Sequence, residues 1–244
     1  MAPPNWPETI GLLPFAAAPG AVLTVAITDL RRLEKVADIT RLAPAVLAAA
    51  ELSVFSRFIR HRRRLEWLAG RLAAKTLVAG QYPGTRVEEV AVLAAPHGRP
   101  TVHLPGSPAD GGPHVSISHS GDAAVAVLSS GRAVGIDVQV VSDSVVTVRE
   151  RFLSMEEMLL QAEAPSFAGF SNQERLTLLW AVKEAVRKSF DGPQLPPFRE
   201  IVITAISAEQ DSLFVHGRCP SDTPFTAGVA LRQGAGLALT RRPA

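Results

Sequence analysis

Two stretches of helical periodicity, each succeeded by a series of strand-like runs, constrain this chain more than any other feature. The spacing predicts a first strand over Ala21 to Thr28 and helices from about Ala45 to Tyr82. Strand-like runs come next: pieces of Val87 to Val102 around the turn "APHGRP", then Val115 to Ser118, Ala123 to Leu128 and Val134 to Val140. After Asp143 the pattern turns helical again. Ser154 with Glu157, and Ser171 with Glu174, have the spacing of capping boxes; the second opens a long helix to about Phe190, which "DGPQLPP" ends. The runs "IVITAI", "LFVHGR", "TAGVALR" and "GLALTR" return to strands. That order predicts an α+β chain of two similar halves, 1–134 and 135–244, rather than an alternating parallel sheet. No residue-level repeat supports the duplication; it rests on element order alone.

The 244 residues leave room for a sizeable core, and a net charge of +2 gives only a mild preference for anions. The single cysteine, Cys219, excludes an internal disulfide framework and a cysteine metal cage, and it fits a reducing compartment. No run approaches the roughly 18 continuous apolar residues of a membrane span. The opening "MAPPNWPETIGLLPFAAAPGAV" has no basic segment and is broken by Pro and Gly, so it reads as a mobile arm rather than a signal peptide. "GSPADGGP" reads as a loop by composition.

Four constellations carry the chemistry. In "VSISHSGDAAVAV", Ser118, His119, Ser120 and Gly121 stand between strand-like runs, where hydroxyls, an imidazole and backbone N–H groups suit an anion; a hairpin satisfying its own backbone is the plainer alternative. In "GIDVQ", Asp137 and Gln139 share one face of a strand and make half of a hard-cation site, unless that face is merely solvated. In "LLWAVKEAVRK", Trp180, Glu184 and Lys188 form one stripe on a helix, with Lys183 and Arg187 beside it; a solvated helix with a core Trp fits equally well. The basic run Arg57, Arg60, His61, Arg62, Arg63 and Arg64, with Arg71 and Lys75 beyond, is either a solvated face or a phosphate or acidic-partner surface.

"SISHS", "GIDV", "RFLSMEE" and "WAVKEAVRK", in that order, resemble the 4′-phosphopantetheinyl transferases of the larger, monomeric Sfp type; "HGRP" and "WLAGRLAAK" resemble the N-terminal half of that family. The likeness covers roughly Leu52 to Lys188. It implies a pseudo-dimer of two α+β halves with the active site in the cleft between them, and a cytoplasmic monomer. It also implies an enzyme that moves the phosphopantetheine arm of coenzyme A onto a serine of an acyl or peptidyl carrier domain, uses magnesium, and releases adenosine 3′,5′-bisphosphate. Coenzyme A and carrier domains are the implied partners, with no nucleic acid and no membrane.

Carried over residue by residue, the resemblance makes Asp137 a metal ligand, Glu184 a metal ligand and general base, and Lys188 the group that neutralises the departing bisphosphate. Lys183 is expected to help Lys188 there. Ser118, His119 and Arg99 are expected on coenzyme A phosphates and nucleotide, with Arg71 beside them. Glu157 matches an acidic position near the site, while the capping box with Ser154 explains it as well. One position departs from the family. Gln139 stands where Glu is common, so the metal set becomes Asp137, Gln139 and Glu184 with two carboxylates instead of three. Two other classes of function compete: a catalytically weak relative that binds coenzyme A or a carrier without turnover, and a basic nucleic-acid module. The second lacks the interleaved exposed aromatics of single-strand binding.

Overall fold

The computed structural model describes residues 6–107, 112–190 and 194–242. Parts of "GSPADGGP" and "DGPQLPP" therefore lie outside the described residues, as do the first five residues of the expected arm. The rest of that segment is no arm. Ile10–Ala18 is strand β1, which joins β2 (Ala21–Asp29) through a turn whose Gly20 adopts a left-handed φ of 71°. Among the described residues of that segment, Pro7 lies in a 3-10 turn (Trp6–Thr9), Gly11 and Pro14 lie within β1, an edge strand, and Pro19 and Gly20 form the turn after it.

Compact packing divides the chain into two units, Met1–Pro14 with Thr24–Gly131, and Phe15–Leu23 with Arg132–Ala244. The first unit runs through α1 (Leu30–Val36), α2 (Ile39–Val46), α3 (Ala49–Phe55) and the long α4 (His61–Gln81). Strands β3 (Ala91–Ala94), β4 (Pro100–His103), β5 (His114–Ser120) and β6 (Ala123–Ser129) come after it, and the sheet has the order β1-β2-β6-β5-β4-β3. Leu68, Leu72, Ala73, Ala74 and Val78 of α4 are buried with Ala124, Ala126, Val115 and Val92 of the strands. Gly70 belongs to this seam: a Cβ there would lie 2.8 Å from the Ile117 side chain.

The second unit repeats the plan. Strand β7 (Val134–Val140) leads to α5 (Asp143–Phe152), α6 (Met155–Glu163) and the long α7 (Asn172–Lys188). Strands β8 (Val202–Glu209), β9 (Ser212–Arg218), β10 (Pro224–Arg232) and β11 (Ala235–Arg241) complete a sheet of order β7-β11-β10-β9-β8. That is the order β2-β6-β5-β4-β3 strand for strand, with β1 as the addition. The α+β expectation of two similar halves is met.

Both capping boxes form. Ser154 Oγ accepts from the Glu157 N–H, while Glu157 Oε2 accepts from the Ser154 N–H at 2.7 Å; Ser171 and Glu174 repeat the exchange. Each satisfies two amide groups that a helix start otherwise leaves open. Helices α1 and α2 begin before the helical stretch read from the sequence, and Ile39, Leu42, Ala43 and Val46 give α2 an apolar stripe at helical spacing. The two helices start at Asp29 and Asp38, whose carboxylates accept from the N–H groups of Arg32 and Thr40.

Candidate metal and phosphate site

The stretch "VGIDVQV" is β7 from end to end. Its side chains are buried from Val134 to Val138, because β11 pairs one edge and α7 covers a face. Gly135 makes the cover possible. A Cβ there would fall 1.8 Å from the Ala185 carbonyl oxygen of α7, so only glycine permits this approach. Two residues on, Asp137 is buried, and an ionised carboxylate in that position needs a partner. Lys188 supplies it from the end of α7, with Nζ donating to Asp137 Oδ1 at 2.6 Å.

Glu184 lies one helical turn before Lys188 on the same stripe. Burial raises its pKa first, and the negative charge of Asp137 raises it further; Lys188 and Arg187 oppose the shift. The Arg187 guanidinium is 3.7 Å away. Asp137 of β7 is thus brought into one electrostatic unit with Glu184 and Lys188 of α7, which are far from it in sequence. Trp180, on the same stripe, is not part of it. Its ring packs against Phe152 and Phe198 at centroid distances of 5.1 and 5.0 Å, so the plainer alternative of a core Trp holds.

Gln139 shares the face of Asp137 but its amide nitrogen turns to the Val140 carbonyl at 3.5 Å. Among the described residues no group of three or more His, Cys, Asp or Glu side chains could hold a metal ion. The donor set on offer is therefore two carboxylates and one amide oxygen. All are hard oxygen donors that fit magnesium, which keeps several waters and takes only one or two protein carboxylates. Asp137, Glu184 and Gln139 are the residues that could hold it.

Lys183 requires a correction. Its side chain is fully buried, and its Nζ donates to the Phe152 carbonyl at 2.6 Å, the Phe198 carbonyl at 3.1 Å and Glu157 Oε1 at 2.7 Å. Three donors meet three acceptors, so none is left for a leaving phosphate. Adjacent residues on a helix point about 100° apart, which sends Glu184 to the β7 face and Lys183 into the core. Glu157 is likewise committed. It caps its own helix and accepts from the Ile203 N–H at 2.8 Å, in addition to pairing with Lys183.

In the first unit, β5 extends through Ser120, so the turn begins only at Gly121. Ser118 and His119 are therefore strand neighbours on opposite faces rather than partners at a loop. Ser118 is buried, whereas His119 faces α4, with Nε2 2.9 Å from Arg63 Nη1 and Nδ1 3.7 Å from Glu66 Oε2. An arginine cannot accept, so Nε2 accepts and the proton of the neutral ring sits on Nδ1 toward Glu66. Arg99 Nη2 lies 3.1 Å from His114 Nδ1, and burial lowers the pKa of both groups. Sequence reasoning misses His114, because no motif marks it; pairing of β4 with β5, Thr101 opposite His114, brings it to Arg99.

Arg71 lies at a cleft of about 380 Å³ lined also by Arg57, Ser53 and Trp67. Its guanidinium stacks on the Trp67 ring at 4.1 Å, and burial lowers its pKa to about 10. The basic run itself is mostly an exposed face, paired in part. Arg62 binds Glu66 and Asp122, and His61 meets Glu34 at 2.9 Å. Lys75 is the exception, buried and paired with Glu51.

Comparison with known proteins bears on the second unit. No curated protein matches the chain. The crystal structure of Thermotoga maritima holo-[acyl-carrier-protein] synthase is similar to it at 23% identity, covering 53% of this chain and 73% of that one, with a TM-score of 0.34. Residues 133–230 match the model of the 4′-phosphopantetheinyl transferase superfamily. Asp137, Glu184 and Lys188 all lie within the matched segment.

Proposed function

We propose that this protein is a phosphopantetheinyl transferase of the larger Sfp type, moving the phosphopantetheine arm of coenzyme A to a serine of an apo carrier domain with magnesium. The observation that carries the proposal is the Asp137–Lys188–Glu184 unit, lying inside the segment that matches the superfamily. The carboxylates of Asp137 and Glu184 would hold a cation that offsets pyrophosphate charge, and Lys188 supplies an ammonium beside them.

The residues divide the work by charge. Asp137, Glu184 and the Gln139 amide oxygen would hold magnesium, which would supply charge neutralisation on the pyrophosphate. Glu184 has a raised affinity for a proton, suiting it to take the proton of the carrier serine as that oxygen bonds to phosphorus. The phosphorus–oxygen bond to the bisphosphate breaks in the same displacement. Lys188, released from Asp137, offsets the negative charge that the departing phosphate acquires. Arg99, His119 and Arg71 are the groups of the first unit offered to the phosphates and nucleotide of coenzyme A; Ser118 is buried on the opposite face of β5 from His119. Lys183 has no part in the chemistry.

The test is a mass measurement on an apo carrier domain mixed with the protein, coenzyme A and magnesium. A gain of one phosphopantetheine, abolished by Glu184→Ala or Asp137→Ala, is the expected result. Binding of coenzyme A with no gain on several carriers would replace the transferase by a binding relative, a reading favoured only by Gln139.

A further inference from the structure

The buried ion pair that removes Lys183 from the chemistry has a twin. In the first unit Lys75 Nζ donates to the Val46 carbonyl at 2.7 Å, the Val87 carbonyl at 3.0 Å and Glu51 Oε2 at 2.5 Å. Glu51 Oε2 also accepts from the Ala48 N–H, and Oε1 accepts from the Val92 N–H at 3.0 Å. The second unit repeats the partners group for group, except that Lys183 shares its carboxylate oxygen, Glu157 Oε1, with the Ile203 N–H, whereas Lys75 shares Glu51 Oε2 with the Ala48 N–H. Val46 is the last residue of α2 and Phe152 the last of α5; Val87 and Phe198 each open a short 3-10 turn. Glu51 and Glu157 each stand in the first turn of the short helix before the long one, and Val92 and Ile203 lie in the strand after the turn. Each clamp therefore ties its long helix to four other elements through one ammonium and one carboxylate.

The twins differ in what stands beside them. Lys183 is followed by Glu184, with Lys188 a turn further on; Lys75 is followed by Thr76, and Gly80 takes the place of Lys188. We infer that the Glu157–Lys183 clamp is the positioning device of the metal and phosphate site, fixing the rotation and height of α7 against β7 so that Glu184 and Lys188 meet Asp137. The physical ground is stiffness. A helix held only by apolar contacts can roll by small angles as its side chains repack. Three charge-assisted bonds from one buried ammonium to fixed carbonyls and a fixed carboxylate forbid the roll. The Glu184 carboxylate is one residue from the anchor, so it inherits that rigidity, and misplacement by about 1 Å costs on the order of 10²-fold in a reacting geometry.

The inference rests on the proposed cation site, and the twin separates positioning from stability. Manganese is the probe, with binding followed by electron paramagnetic resonance without coenzyme A. Lys183→Met and Glu157→Gln should weaken manganese binding about ten-fold or more, whereas Lys75→Met and Glu51→Gln should leave it within two-fold while lowering the melting temperature comparably. Lys183→Arg keeps the charge and the Glu157 pair but not the three-point geometry; it should fold and show an intermediate loss. Equal manganese affinity in folded Lys183→Arg and wild type would overturn the inference, as would an equal loss in the Lys75→Met twin. If the wild type itself binds no manganese, the functional proposal fails separately. The clamp is then judged by a crystal structure of Lys183→Arg: a displaced Glu184 carboxylate supports it, and an unmoved Glu184 beside Asp137 overturns it.

Discussion

Glu184 and Asp137 are two carboxylates that raise each other's cost of ionisation, and Lys188 only partly offsets it. The Glu184 pKa is raised above the usual 4.5, by burial first and by Asp137 second. The folded state thus holds this proton more tightly than the unfolded chain, so the associated stability is present at low pH and is lost as pH rises through the folded pKa. Function runs the other way. Cation binding and serine deprotonation need the ionised form, so manganese affinity should fall as pH drops, along a limb lying above 4.5. Glu184→Gln should remove binding and melt no lower than wild type at neutral pH, because it relieves the repulsion; a clear drop in melting temperature would contradict that repulsion. Gln139 sits at the same scale. Gln139→Glu adds a third carboxylate and should tighten manganese or magnesium binding in the absence of coenzyme A; calorimetry showing equal affinities would count against Gln139 facing the cation.

Among the elements, the contact between β7 and α7 decides whether those residues meet. Gly135 is its closest point. Gly135→Ala places a methyl group inside the distance of a carbonyl oxygen, and overpacking of this kind costs about 1–3 kcal/mol. Relief requires α7 to move from β7, which separates Glu184 and Lys188 from Asp137. The expected outcome is a lower denaturation midpoint together with weaker manganese binding, where a surface Gly→Ala would change neither. Elements are also where the sequence is most legible. Val134 to Val140 shows as a strand because four apolar residues alternate with the Gly, Asp and Gln that face the helix, and Ser154 and Ser171 announce α6 and α7 by their caps. Helices α1 and α2 are short, so their signal is brief: Ile39, Leu42, Ala43 and Val46 recur at helical spacing in α2, and an N-cap aspartate opens each helix.

Taken whole, the molecule is one plan used twice, with the proposed chemistry in one copy. The two clamps belong to separate hydrogen-bond networks with no common residue. Removing one partner of a buried pair costs about 3–5 kcal/mol. Losses from Glu51→Gln and Glu157→Gln should therefore add to within about 0.5 kcal/mol in the double variant, as chemical denaturation would measure. A strong departure from additivity would show that the clamps are coupled.

The order of elements, the strand that carries Asp137, the helix stripe that carries Glu184 and Lys188, and the family those motifs resemble are all legible along the chain, since each is written in local periodicity, caps or short motifs. Folding decides which charges are placed for chemistry and which are structural. Lys183 and Lys188 differ little in sequence, yet one is sealed among carbonyls and the other reaches Asp137. That difference is set by which side of α7 faces β7, and no local pattern records it. The duplication is hidden for the same reason: "AAELSV" and "MEEMLL" share little beyond one glutamate, and only the bonds it makes show the two to be the same device.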